Sequence, residues 1–321
     1  MGNEVLPRGL NDVRDQQLVD RVLLAIHRYR PVHLSIVGGE PLLRYRELDL
    51  LLPKLAQAKL EVQLVTSAVR CIPLAWRELP NLHLVVSVDG LPPEHDRRRF
   101  PATYDRILDS IAGHRVIVNC TITRQLLARA DYLADFASFW SSRPEVRKIW
   151  FGLFTPQDGQ HSDERLSPGD RAAAVRQLDL LRLRFPKIHL PRMVLDGYVR
   201  PPRSPEECLF AQATTCLAND LETEITPCQL GGQPVCAECG CMAAAGFVSI
   251  ARLRLLPWVR VSDVFFLSRK VGEFLGRFRD SRTSARSCDA SLSASPIPEN
   301  VRSSEELLAG RSVSGGDHSD V

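Results

Sequence analysis

The feature that most constrains this chain is a regular alternation of apolar runs with amphipathic stretches between residues 33 and 185. Apolar runs begin near residues 33, 62, 82, 116 and 148, at 20 to 34 residues per unit. Residues 33–37, 61–67, 82–90, 116–123 and 148–154 read as strands. Helical patterns fill the gaps at 45–59, 73–79, 103–112 and 130–141, with Pro53 expected to kink or split the first. A further helix, 16–29, precedes the first strand and places Leu18, Val19, Val22, Leu23, Ile26 and His27 on one face. Ser167-Pro168-Gly169-Asp170 caps a long helix running to about residue 185. Strands that alternate with helices build βα units and a parallel sheet. Their near-continuous apolar runs fit strands covered on both faces.

Ligands in such folds bind at the carboxyl ends of the strands. The first strand ends in Gly38-Gly39-Glu40-Pro41. Two glycines let backbone approach a ligand closely, and the carboxylate that follows accepts from an ammonium or a hydroxyl. Pro41 is suited to open the next helix. Taken alone, the four residues are also what a plain βα turn uses. The other strands end in Thr66-Ser67, in Ser87 and Asp89, and near Asn119. Each alone reads equally as a turn or cap residue; their coincidence at one rim is the stronger signal. Arg97-Arg98-Arg99 reads as a solvated face.

The net charge of +3 is too small to argue for nucleic acid. No apolar run is long enough for a membrane span, and no secretory h-region stands at residues 1–10. Nine cysteines, an odd number, argue against a disulfide scaffold and for a reducing, cytoplasmic setting. Six of them fall in one segment, Cys208-x7-Cys216-x11-Cys228-x7-Cys236-x2-Cys239-x-Cys241. A C-x2-C pair ligates a metal or cluster through two thiolates on a tight turn. Spacing does not separate iron–sulfur from zinc. Cys71, Cys120 and Cys288 read as non-ligands. The organisation expected is an α/β domain over 1–196, then a Cys-rich module over 197–279 and a disordered polar tail over 280–321. Residues 197–207 would be the linker, and helices over 242–256 and 263–278 would close the module.

With these residues laid out, the chain resembles the radical S-adenosylmethionine (radical SAM) family. Four pieces match in order: Gly38-Gly39-Glu40-Pro41; Val65-Thr66-Ser67; Val86-Ser87-Val88-Asp89-Gly90 followed by Glu94-His95-Asp96-Arg97; and Tyr104-Asp105-Arg106-Ile107. They cover roughly residues 10–160, and the Cys segment resembles the SPASM or twitch extensions of that family. The resemblance implies a partial (β/α)6 barrel with S-adenosyl-L-methionine at the strand ends. Gly38, Gly39 and Glu40 would lie near its amino group, and Ser87 and Asn119 along its carboxylate or ribose. Ser67 and Asp89 complete the implied cofactor rim. It also implies one auxiliary [4Fe–4S] cluster drawing four ligands from Cys216, Cys228, Cys236, Cys239 and Cys241, with Cys208 as the spare, or as a ligand if Cys241 is not. A family member would cleave S-adenosylmethionine reductively and abstract a hydrogen atom from its substrate. The substrate expected is a peptide or protein, with flavodoxin or ferredoxin as electron donor and with neither nucleic acid nor membrane as partner.

One departure bears on all of this. The family holds its catalytic cluster with C-x3-C-x2-C ahead of the first helix, whereas this chain has no cysteine before Cys71 and no strand before residue 16. No residue is therefore assigned to catalysis. The readings left open are an enzyme whose sequence starts too late, with its first strand missing, and a non-catalytic binding protein with a structural iron–sulfur or zinc module.

Overall fold

The computed structural model describes residue 10, residues 12–268 and residues 270–271. The expected tail over 280–321, with Cys288, lies outside the described residues. The chain divides into two compact units, Met1–Val264 and Phe265–Val321. The sheet, its helices and the cysteine segment all belong to the first.

Helix α1 (Asp15–Tyr29) buries Val19 and ends where Arg30 turns left-handed and its N–H reaches the carbonyl of Ile26. Strand β1 (His33–Ile36) follows Pro31. Pro41 then opens a 3-10 turn, Pro41–Arg44, that leads into α2 (Tyr45–Gln57). Pro53 neither splits nor ends α2. The carbonyl it leaves without a helical partner is that of Asp49, on the exposed side, where water can serve it. Strand β2 (Glu61–Thr66), a 3-10 turn (Leu74–Glu78) and β3 (Leu82–Ser87) come next. After β3 the chain forms α3 (Glu94–Arg99), which the apolar pattern does not announce because all six of its residues are polar. Then follow α4 (Tyr104–Ile111), β4 (Val116–Ile122), α5 (Arg124–Leu127), α6 (Tyr132–Ser142) and β5 (Val146–Leu153). Helix α7 (Pro168–Arg184) begins at the expected Ser167, in a reciprocal capping box with Asp170.

The sheet has the strand order β1-β2-β3-β4-β5, parallel throughout. Parallel crossovers are right-handed, so strands laid down in sequence order put every connecting helix on the same face. The sheet is therefore wound in one direction only. A parallel bridge between Ile149 and Ile188 continues it one residue beyond β5. On the helix-covered face Val86, Val118, Cys120, Ile122 and Phe151 are fully or almost fully buried. Phe136 of α6 packs on Phe151, with ring centroids 5.7 Å apart. The other face carries the pleat's alternate residues: Ser87 of β3 pairs in register with Asn119 of β4, and Asn119 with Trp150 of β5.

Beyond α7 lie α8 (Arg192–Val199), α9 (Leu209–Ala213) and α10 (Met242–Ala251). Gly197 is not linker: it sits inside α8, pressed so close to α10 that an added Cβ would lie 2.2 Å from the carbonyl oxygen of Ala245. The expected helix over 242–256 stops at Ala251, and the chain turns into a hairpin of β6 (Arg254–Leu256) and β7 (Val259–Arg260). Among the described residues no helix is long and apolar enough to cross a membrane.

Candidate functional site

The rim formed by the strand ends separates into residues already engaged and residues left open. Glu40 is engaged. Its side chain accepts from the Leu42 N–H at 2.9 Å and from the Thr66 hydroxyl at 2.5 Å. It also accepts from the N–H of Ser67 at 2.8 Å and from the Ser67 hydroxyl. Four donors occupy a carboxylate with about four lone-pair sites. Glu40 therefore ties the end of β1 to the end of β2, and both Glu40 and Ser67 are used up in that tie.

Asp89 is engaged more deeply. Its side chain is 1% exposed and receives Nε of Arg98 at 3.0 Å, Nη2 of Arg99 at 2.7 Å and the Thr121 N–H at 3.1 Å. Burial alone would raise its pKa; the guanidiniums of Arg99 and Arg98 outweigh that and hold it below the usual carboxylate range. Arg98 also pairs with Glu164, itself buried. The run Arg97-Arg98-Arg99 is thus only in part a solvated face: two of its three guanidiniums neutralise a buried carboxylate. His95 completes the knot. The Asp89 N–H donates to its Nδ1 at 3.0 Å, so Nε2 carries the proton and donates to the Ala102 carbonyl at 2.9 Å. Burial lowers the His95 pKa and keeps the ring neutral.

Gly38, Gly39, Ser87 and Asn119 remain open. Gly38 and Gly39 have φ of +86° and +39°, and nothing lies within 4 Å of where a Cβ would stand. The left-handed backbone there selects glycine, and the open space leaves backbone groups accessible. Ser87 is largely buried as a residue, and neither its hydroxyl nor the Asn119 amide makes a side-chain hydrogen bond among the described residues; the hydroxyl oxygen is not among the buried unpartnered atoms. The pairing of Ser87 with Asn119 sets these two polar groups side by side on the face without helices.

The cysteine segment is docked at the exit of β5. The Leu153 N–H donates to the Gly240 carbonyl at 2.9 Å, the Gly240 N–H to Oγ1 of Thr155 at 2.8 Å, and the Val235 N–H to the Pro156 carbonyl at 2.9 Å. Gly240 is required at that contact, since a Cβ would lie 1.9 Å from the Leu153 carbonyl oxygen. Arg171 of α7 donates to the carbonyls of Glu238 at 2.8 Å and Cys239 at 3.0 Å, and Arg165 grips the Glu238 carboxylate in two bonds of 2.9 and 2.6 Å. Neither arginine stands out in the sequence. Both matter because they fix the turn that carries Cys236 and Cys239.

Five of the six clustered cysteines, Cys208, Cys228, Cys236, Cys239 and Cys241, line one cavity. Cys216 does not line it; of the other thiols, only that of Cys228 influences it electrostatically. Cys208, the expected spare, thus belongs to the ring, and Cys216 stands at its margin. Among the described residues no three His, Cys, Asp or Glu side chains gather as a single-ion site. Burial raises the thiol pKa of Cys228 and Cys236, and pushes Cys241 up to about 11 and Cys239 up to about 12. Cys241 caps α10, its sulfur accepting from the Ala244 N–H at 3.5 Å and from the Gln229 amide at 3.0 Å. Such donors favour a thiolate once a cation is present to draw the proton off. Cys71 is exposed and Cys120 buried, and neither lines this cavity.

No protein-family model matches the chain, and no curated protein matches it. Among solved structures the chain is similar to Streptococcus suis SuiB bound to S-adenosylmethionine, with a TM-score of 0.38 and 18% identity over 55% of this chain and 39% of that one. It is similar to SuiB bound to the precursor peptide SuiA at a TM-score of 0.41 and 18% identity, over 56% and 40% of the two chains. It is also similar to TYW1 with a lysine-pyruvate adduct bound, at a TM-score of 0.35 and 16% identity, over 52% and 58%. The chain covers less than two thirds of the length of each of these proteins.

Proposed function

We propose that this is a radical SAM-type protein whose sheet binds S-adenosyl-L-methionine at the strand ends and whose cysteine segment holds an auxiliary [4Fe–4S] cluster. The observation that carries the reading is the ring of five thiols around one cavity, docked on the exit of the last strand. A four-iron cluster takes one thiolate per iron and spaces its ligands more widely than a single zinc, which draws four sulfurs to about 3.8 Å from one another. Cys228, Cys236, Cys239 and Cys241 are the proposed ligands, with Cys208 as the fifth candidate in place of any one of them. When bound, such a cluster supplies a substrate ligation point or a one-electron acceptor.

The chain's own residues do the positioning. The Glu40 tie holds Gly38 and Gly39 in the left-handed turn that opens their backbone to a ligand. Ser87 offers a hydroxyl and Asn119 an amide, both unspent, to the carboxylate or ribose of S-adenosylmethionine. The buried Asp89 knot supports the end of β3 without touching a ligand. A peptide or protein remains the proposed substrate class, with flavodoxin or ferredoxin as the donor to the cluster.

Anaerobic reconstitution followed by iron, sulfide and zinc analysis tests the reading. The expected result is about four irons and four sulfides per chain, with a cluster charge-transfer absorbance. Stoichiometric zinc and no iron, from cells grown in iron-rich medium, would overturn the cluster and leave a structural metal module.

A further inference from the structure

At the same end of the sheet a groove of about 600 Å³ opens between the N-terminus of α1, the N-terminus of α2 and the loop after β2. Ligand pockets run from about 300 to 1,000 Å³. Four arginines line this one, Arg14, Arg44, Arg46 and Arg70, against two acids, Asp15 and Glu47.

Two facts set the groove apart from an ordinary charged surface. The first is the cationic entry to α1. Helix N-termini carry partial positive charge and select Ser, Thr, Asp or Asn as caps. Helix α1 takes Arg14 instead and has no side-chain cap, whereas α2 runs on from the 3-10 turn Pro41–Arg44, whose start Glu40 caps through the Leu42 N–H. The positive end of α1 and four guanidiniums line one space. Asp12 pairs with Arg44 and, at 3.7 Å, with Arg14, which offsets part of that charge. The Asp15 N–H is satisfied by Glu47, so the acid at 8% exposure is spent on the scaffold. The second fact is the arrangement around Tyr45. Arg70 lies over its ring at 4.6 Å from the centroid, and Nε of Arg46 donates to its hydroxyl at 3.1 Å. Neither guanidinium makes an ion pair among the described residues. Two guanidiniums held on one tyrosine, with Glu47 acting on Arg46 only from beyond ion-pair distance, are placed to grip one anion.

We propose that this groove binds the phosphoryl group of a small phosphorylated molecule, held by Arg46 and Arg70. The guanidinium forks match phosphate oxygens. The exposed Leu43 and Leu50 on the groove wall receive the apolar remainder of the molecule. The site is independent of the cysteine cavity and of the reading given to it.

The test is calorimetric titration of the full chain with inorganic pyrophosphate at fixed ionic strength. The expected result is saturable one-site binding, weakened at least about tenfold by Arg46→Gln and by Arg70→Gln and abolished in the double variant. Arg129→Gln, which removes an exposed pair with Asp135, should bind like the parent. Tyr45→Phe keeps the ring and removes the hydroxyl that orients Arg46, so it should weaken binding less than either arginine variant and provides a milder probe if the double variant is unstable. No saturation up to about 10 mM, equal binding by the double variant, or equal loss in Arg129→Gln would each overturn the proposal. Tighter binding of single-stranded oligouridylate, with a steep salt dependence, would overturn the small-molecule assignment in favour of a nucleic acid backbone.

Discussion

From β3 to β5 the chain excludes water almost completely on one face, with Val86, Val118, Cys120, Ile122 and Phe151 all at 0% exposure. Between Cys208 and Cys241 only Cys208, Leu209, Ala218, Gly231 and Gly240 are buried, none of them a large aromatic. The first region is stabilised by apolar burial at roughly 25 cal/mol per Å². The second has little apolar area to contribute. It is held by backbone bonds to residues 153–158 and by Arg165 and Arg171. One chain thus carries a core held by apolar burial beside a segment held by backbone bonds and two arginines.

The largest expected effect separates the two regions directly. A Cys236→Ala, Cys239→Ala double variant should lose essentially all of the iron. It should also become open to a glutamyl endopeptidase at Glu222 and Glu224; trypsin is no use there, because residues 208–241 contain no Lys or Arg. The urea midpoint of the sheet should move far less than the segment's protection, since neither thiol belongs to the sheet's apolar core although Gly240 docks on Leu153. Iron content, protease mapping and denaturation are read on the same preparations. A sheet that unfolds together with the segment would break the comparison.

The next effect is confined to the sheet. Asp89→Ala leaves Arg98 and Arg99 facing a buried space without their carboxylate, and removing one partner of a buried pair costs about 3–5 kcal/mol. Urea denaturation should show a loss of that order, with the iron content of the folded fraction unchanged. A loss below about 1 kcal/mol would mean that Glu164 or water takes over the charge.

How far this could be read in the sequence follows from the same contrast. The five strands, the long capped helix after β5 and the placement of Ser87 and Asn119 at one rim were legible, because period and turn chemistry are local. The roles of Arg98 and Arg99 were not. A run of three arginines looks solvated until the fold brings Asp89 within reach, and that partner lies nine and ten residues away across a loop. Glu40 was legible as a special position, but not as a spent one, because its donors Thr66 and Ser67 come from the next strand. In the cysteine segment the sequence showed the grouping of the thiols but not that Cys208 lines the cavity and Cys216 does not. Which thiol faces the cavity depends on α9 and on the hairpin-like turn over 216–225, where the Ile225 N–H reaches the Cys216 carbonyl. Neither announces itself in composition.

A pH titration sharpens the comparison at smaller magnitude. His95 and His114 both have pKa values lowered, in each case mainly by burial. The unfolded chain then binds more protons than the folded one below the ordinary histidine value, so stability is full above about pH 6.5 and falls as pH drops below it. The slope is at most about 1.4 kcal/mol per pH unit for each proton taken up. Asp89, held low by its arginines against the effect of burial, adds a loss in the same direction at more acid pH. The urea midpoint measured between pH 7.5 and 5 should fall, and His95→Gln should flatten the profile. A profile that rises toward pH 5 would show that the buried rings are not neutral.

The smallest effect on stability is expected at the residues with the most direct part in binding. Ser87 is buried and makes no side-chain hydrogen bond, so Ser87→Ala removes a polar group that the fold does not use. Such a change should alter stability by less than about 0.5 kcal/mol, or raise it slightly. Asn119, half-buried beside it, should behave alike. If these groups instead meet the carboxylate or ribose of S-adenosylmethionine, each substitution removes a hydrogen bond to a charged or polar ligand atom. That is worth about 1–3 kcal/mol, or roughly five- to a hundredfold in Kd. Titration calorimetry with S-adenosylmethionine on Ser87→Ala, Asn119→Ala and Asp89→Asn separates the roles. The first two should bind weakly and melt normally. Asp89→Asn should melt early yet bind in proportion to its folded fraction. If Ser87→Ala and Asn119→Ala bind like the parent, the open face of the sheet is not the ligand face, and the two spare polar groups there need another explanation.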